Sequence, residues 1–156
     1  MNYMLNEIES LPGLMNQIFT PLDDSCASVL NSKLCLSLER IFLTGCGDSH
    51  HAALTTEFAL EKMTSLPVEP MNALMFARYA AGFIPPTGLG TNLVIAISVS
   101  GAVSRTVEAV HIGSQSGATT AALTANPEND LAKNAHFNLI MPILPLPIPE
   151  GLITPG

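Results

Sequence analysis

The run Leu93-Val94-Ile95-Ala96-Ile97 constrains the fold more than any other stretch of this chain. Continuous apolarity without polar alternation suits a strand covered on both faces, and such strands belong to parallel sheets flanked by helices. A second short apolar run, Ile41-Phe42-Leu43-Thr44-Gly45, ends in glycine. It leads into a helical stretch over 50–64, where Leu54 and Phe58, then Ala59 and Met63, recur at four-residue spacing. Further strands are expected at 67–70, 118–123 and 137–143. Helices are expected at 71–81, at 102–115 with Val103, Val107 and Val110 on one stripe, and at 127–135. Residues 82–91, with three Gly and two Pro, form a loop. Ahead of the first strand, a helix over 2–19 is expected to break near Pro12 and Gly13. A second, over 25–38, takes its caps from Asp23, Asp24 and Ser25. Strands alternating with helices imply a parallel α/β sheet, with ligands outside the carboxyl ends of the strands.

Composition narrows the function classes. The 156 residues fit one domain, and 47% hydrophobic against 12% charged residues exclude a disordered chain. So much uncharged surface, with a last strand that no helix follows, predicts self-association as a homo-oligomer, taken as a homodimer. A net charge of −7, with six Lys and Arg in all, argues against nucleic-acid and membrane surfaces as partners. No apolar run reaches the roughly 18 residues of a membrane span, and the amino terminus lacks the basic start of a secretory signal. Cys26, Cys35 and Cys46 are odd in number and without CxxC spacing, so they read as reduced thiols of a cytoplasmic protein, with no disulfide and no metal site. The methionines after Met1 read as core filler. The chain divides into a helical segment, 1–39, and a domain, 40–156, whose Pro-rich end reads as cut short.

Two loops stand out. Gly45-Cys46-Gly47-Asp48-Ser49-His50-His51 lies where the first strand becomes a helix, and Ser98-Val99-Ser100-Gly101 occupies the same place after the strongest strand. Glycines permit tight turns there, and a helix N-terminus presents unpaired N–H groups to an anion. With so few cations in the chain, an anionic ligand would be held by backbone and hydroxyl donors. Such caps are common one at a time; two at matching places favour a ligand. A dinucleotide reading competes, because Gly45-x-Gly47-x-x-His50 supplies two of the three fingerprint glycines and Glu69 follows at the distance of a ribose-binding acid. It ranks second, since His50 fills the third glycine's place and the serine loop goes unexplained. The adjacent His50 and His51 point about 100° apart on a helix and do not chelate one ion readily. Cys46 reads as a buried structural thiol, Arg78 and Arg105 as exposed helix positions, His111 as a surface or groove residue, and His136 as a residue without a role before the last strand.

Cys46-Gly47-Asp48-Ser49-His50-His51-Ala52, followed by Ile95-Ala96-Ile97-Ser98-Val99-Ser100-Gly101, resembles the sugar isomerase (SIS) domain family. Within it, the resemblance is to the isomerase half of glucosamine-fructose-6-phosphate synthase and to related phosphosugar deaminases and deglycases. The opening Met4-Leu5-x-Glu7-Ile8 with Pro12, the pair Val68-Glu69 and the stretch Ala121 to Pro127 are similar to that subgroup. The resemblance implies a three-layer α/β/α domain with about five parallel strands in flavodoxin-like order. It places phosphate-binding hydroxyls on Ser49, Ser98 and Ser100, with backbone help around Gly47, Val99 and Gly101. This chain departs from the family pattern in having Asp48 for Thr or Ser, Val99 for Gln and Val103 for Thr. Thr106, one turn on, is the substitute expected for the hydroxyl absent at Val103. Glu150 resembles the family's acidic position after the last strand and is the catalytic candidate. The implied function is the amino-terminal half of an aldose–ketose phosphosugar isomerase or aminosugar-phosphate deaminase, needing no cofactor. A non-catalytic sugar-phosphate sensor is the alternative, disfavoured because no effector segment is visible before residue 40.

Overall fold

A computed structural model of the chain describes residues 3–84 and 91–143. Strand β1 (Arg40–Gly45) pairs on one side with β2 (Val68–Asn72) and on the other with β3 (Asn92–Ile97). Beyond β3 lie β4 (Thr119–Thr124) and β5 (Phe137–Ile140), giving one sheet in the order β2-β1-β3-β4-β5 with every neighbouring pair parallel. The expected five-stranded parallel sheet and its flavodoxin-like order are therefore both present. Chain direction across the sheet reverses between β1 and β3, so the crevice outside their carboxyl ends is where such a sheet takes a ligand.

Period-2 alternation of the strands divides the core into two faces. On one, Phe42 and Val94 pack with Phe76, Ala73 and Ala109, while Ala96 and Ala122 pack with Val110 and Leu131. The covering elements are α4 (Ala73–Met75) with its continuation, α5 (Ser104–Gln115) and α6 (Asp130–Asn134). On the other, Ile41, Leu43 and Val68 pack with Ala53 of α3 (Asp48–Thr64), and Leu93, Ala121 and Leu139 pack with Cys26, Val29 and Leu30. Those last three lie at the end of α1 (Tyr3–Val29) and just beyond it.

Several local expectations change. Helix α1 is one helix from Tyr3 to Val29, running through Pro12 and Pro21 and through Asp23, Asp24 and Ser25, rather than a helix over 2–19 broken near Pro12 and a second over 25–38 capped by those three residues. A proline removes one N–H and frees one carbonyl, and on this largely exposed helix water can satisfy that carbonyl. Next along the chain, the short α2 (Ser32–Ser37) is capped by the Asn31 side chain, which accepts from the Leu34 N–H at 3.0 Å. The helix after β2 begins as α4, widens into a π turn over Phe76–Ala80 and closes as a 3-10 turn over Ala81–Phe83. Fully buried Phe76 sits in that π turn against Phe42, with ring centroids 5.5 Å apart.

The last strand is not bare. Ser25 of α1 accepts from the Ile140 N–H at 3.0 Å and donates to the Asn138 carbonyl at 3.4 Å, so a helix hydroxyl stands where a sixth strand would bond. Methionine is not mainly core filler either: Met4, Met15, Met63 and Met75 are exposed, Met63 at 83%. Ile8, Phe19 and Phe58 are likewise exposed among the described residues.

Candidate functional site

Gly45 ends β1 where three chain segments approach closely. A Cβ placed there would lie 2.8 Å from Ser49 Cβ and 3.0 Å from the Ile97 carbonyl oxygen, so a hydrogen at this position lets the ends of β1 and β3 and the first turn of α3 meet. Gly47 then takes φ +54°, a conformation that side chains resist, and its carbonyl accepts from the N–H groups of His50 at 3.0 Å and His51 at 3.2 Å. The turn leaves Ser49 half-buried, with its hydroxyl unpartnered among the described residues. Asp48 points away into solvent, its side chain 97% exposed and 4.0 Å from His51 Nδ1. Its repulsion of an anion in the crevice is therefore screened by water. We expect Gly45→Ala to cost about 1–3 kcal/mol, because backbone rather than a flexible side-chain tip must move. Chemical denaturation measures this, and an unchanged midpoint would contradict the packing described.

The second loop is built differently. Ser98 is 4% exposed, and its Oγ accepts from the Gly101 N–H at 3.1 Å, closing a tight turn in which Gly101 has φ +63°. Its hydroxyl hydrogen remains free for an acceptor. Ser100 and Val99 are exposed, and the Ser100 Oγ accepts from the Ala102 N–H at 3.4 Å. The backbone N–H groups of Val99 and Ser100 donate to no described group. Among the described residues, the two loops thus carry two backbone N–H groups without a partner and three serine hydroxyls, and they are followed by the helices α3 and α5, whose dipoles favour negative charge. No Lys or Arg lies in either loop.

Thr106 does not line this crevice in the way expected of it. It is 1% exposed and donates to Cys46 Sγ at 3.7 Å, beneath the surface, tying the first loop to α5. The Thr44 hydroxyl on β1 is buried without a partner among the described residues. Glu150 falls outside the described residues. His50 and His51 lie with ring centroids 6.0 Å apart, and no group of three or more metal-ligating side chains occurs among the described residues.

Sequence reasoning missed three polar residues. Arg78 and Arg105 are exposed as expected, yet Glu108 bridges both, at 2.5 Å and 2.6 Å. The Arg105 hydrogen bond, with both guanidinium charges, holds the Glu108 carboxyl below its ordinary value of 4.5. A depressed carboxyl contributes stability that is present above its unfolded value and lost as pH falls through the folded one. Glu108→Gln should therefore lower the denaturation midpoint at pH 7, with the difference from the unaltered chain closing as pH falls below 4.5 and through the lowered folded value. A difference that grows on acidification would contradict the bridge. His136 is no bystander, because its Nδ1 accepts from the Thr120 N–H at 3.1 Å and its own N–H donates to Thr120 Oγ1 at 3.2 Å. Asn129, the third, packs beneath the second loop, its amide against Gly101. The i, i+3 spacing of Arg105 and Glu108 was a signal available in the sequence.

The model of the SIS domain family matches residues 36–148. The chain is 31% identical over 134 residues to glutamine–fructose-6-phosphate aminotransferase (isomerizing) of Gloeobacter violaceus, covering 83% of this chain and 21% of that protein. Among solved structures it is similar to the C-terminal domain of glucosamine-fructose-6-phosphate aminotransferase from Francisella tularensis, with TM-score 0.70 and 22% identity over 89% of this chain and 39% of that one. It is also similar to glucosamine-6-phosphate deaminase from Thermotoga maritima, with TM-score 0.61 and 22% identity over 86% of this chain and 40% of that one. The chain spans about a fifth of the curated relative and well under half of each solved chain.

Proposed function

Because the chain belongs to the SIS domain family, we propose that the crevice between its two serine loops binds the phosphate of a phosphorylated sugar or amino sugar. What supports this reading is the pair of loops at the β1/β3 reversal, on which the Ser49 hydroxyl and the Val99 and Ser100 N–H groups have no partner among the described residues. Gly47 and Gly101 supply the backbone turns, Ser98 a partly engaged hydroxyl, and Thr106 an internal support. The donor set also explains how an acidic chain can hold an anion: the attraction is local and dipolar rather than a general positive field. Titrating fructose 6-phosphate into 15N-labelled protein tests the site. Amide shifts confined to residues 47–50 and 98–101 are expected, and shifts elsewhere or none would overturn the assignment.

The reaction class that suits such a site is aldose–ketose isomerisation or aminosugar-phosphate deamination. Both begin by moving a proton beside a carbonyl and need an acid–base group and donors for the developing enediolate. Glu150 is the candidate base on this chain. Because the relatives are much longer, the domain would act as one half of a two-lobed enzyme. Free Cys26, Cys35 and Cys46 fit a reducing compartment such as the cytoplasm. Among the described residues no helix is long and apolar enough to cross a membrane.

The exposed stripe Met4, Ile8, Leu11, Met15 and Phe19 on α1 recurs at three- and four-residue spacing, as in helices that pair along a seam. We expect a homodimer at high micromolar concentration by light scattering, reduced to monomer by Ile8→Glu with Met15→Glu. A monomer from the unaltered chain would contradict it.

A further inference from the structure

The second loop is held from outside itself, by the segment that leaves β4. The Val99 carbonyl accepts twice, from Thr124 Oγ1 at 3.1 Å and from the Ala125 N–H at 3.2 Å. The Gly101 carbonyl accepts from the Leu131 N–H at 3.1 Å. Asn129 completes the frame. Its Nδ2 donates to Thr124 Oγ1 at 2.6 Å, its Oδ1 accepts from the Ala132 N–H at 2.9 Å, and its amide lies so close to Gly101 that a Cβ there would come within 2.1 Å. Thr124 is wholly buried. One polar chain therefore runs from the Asn129 amide through the Thr124 hydroxyl to the Val99 carbonyl.

This chain has a directional consequence. In a trans peptide the C=O and the following N–H point opposite ways. Fixing the Val99 carbonyl inward, toward β4 and α6, turns the Ser100 N–H outward, and that N–H is one of the two backbone donors left free in the loop. If the Val99–Ser100 peptide rotated, the outward group would be a carbonyl oxygen, which repels an anion. We propose that Thr124 and Asn129 are positioning residues of the anion site, acting through the Val99 carbonyl to aim the Ser100 N–H at the bound phosphate. The inference rests on the phosphosugar reading for its ligand but not for its geometry.

The test has two arms. In the binding arm, fructose 6-phosphate is titrated into the unaltered chain, Thr124→Val, Thr124→Ser and Asn129→Ala, with Val68→Ala of β2 as a destabilised control remote from the loop. Losing one well-aimed donor to a charged group corresponds to roughly tenfold in affinity. Thr124→Val and Asn129→Ala should each weaken binding about tenfold, while Thr124→Ser, which keeps the hydroxyl, restores it and Val68→Ala leaves it unchanged. Equal affinity in all variants overturns the proposal, as does a loss in Thr124→Val that Thr124→Ser does not restore. In the ligand-free arm, the Ser100 amide resonance should move in Thr124→Val and return in Thr124→Ser. If the unaltered chain binds no sugar phosphate, the phosphosugar reading fails by itself. The ligand-free arm then decides the positioning claim, and a Ser100 amide indifferent to Thr124→Val overturns it.

Discussion

Gly101→Ala should be the most damaging single substitution in the described chain, lowering stability by about 3 kcal/mol or more and abolishing ligand binding with it. The left-handed φ of +63° costs a side-chain-bearing residue about 1–2 kcal/mol. The new Cβ would also lie 2.1 Å from Asn129, whose bonds to Thr124 Oγ1 and the Ala132 N–H would then break. Each buried polar group left unsatisfied costs about 1–3 kcal/mol. Urea denaturation reads the loss. Gly47→Ala provides the contrast, because its φ is also positive but nothing lies within 4 Å of the added Cβ. It should cost only the backbone term. Equal losses at the two positions would mean that the Asn129 contact is not what makes Gly101 necessary.

The serine hydroxyls carry the largest expected effect on binding. Ser49 and Ser100 sit on different loops and have no side-chain bond to each other, so their contributions should add. A hydrogen bond to a charged group contributes roughly 1.5–3 kcal/mol, and 1.4 kcal/mol is a factor of ten. Ser49→Ala and Ser100→Ala should each weaken sugar-phosphate binding about tenfold or more, and the double variant about a hundredfold or more. Ser98→Ala is of another kind, since its oxygen also holds the Gly101 N–H, and it should lower both affinity and stability. Asp48→Thr should have little effect, because the carboxylate already faces solvent. A large gain in affinity would show that Asp48 turns inward when ligand binds.

The sheet and the two loops that follow β1 and β3 are legible in the sequence because their signals are local. Leu93 to Ile97 reads as a doubly covered strand from its own composition, and glycines after β1 and β3 mark the turns. Residues 3–29 depart from expectation because proline's local preference counts for less on an exposed helix, where water serves the freed carbonyl. The hold on the second loop is invisible for a different reason: Thr124 and Val99 are 25 residues apart, and only tertiary structure brings their hydrogen bond about. The Cys46–Thr106 contact, at a separation of 60 residues, is of the same kind. The exposed methionines belong to a surface that apolar composition alone does not distinguish from a core.

Calorimetric titration with fructose 6-phosphate and with glucosamine 6-phosphate tests the anion site most directly, with NAD as the competing ligand and the Ser49→Ala, Ser100→Ala double variant as the control. A saturating heat with at least one sugar phosphate at about millimolar concentration or below is expected, strongly reduced in the double variant, with no heat from NAD. Binding of NAD with no heat from either sugar phosphate would contradict the site and return the first loop to the dinucleotide reading.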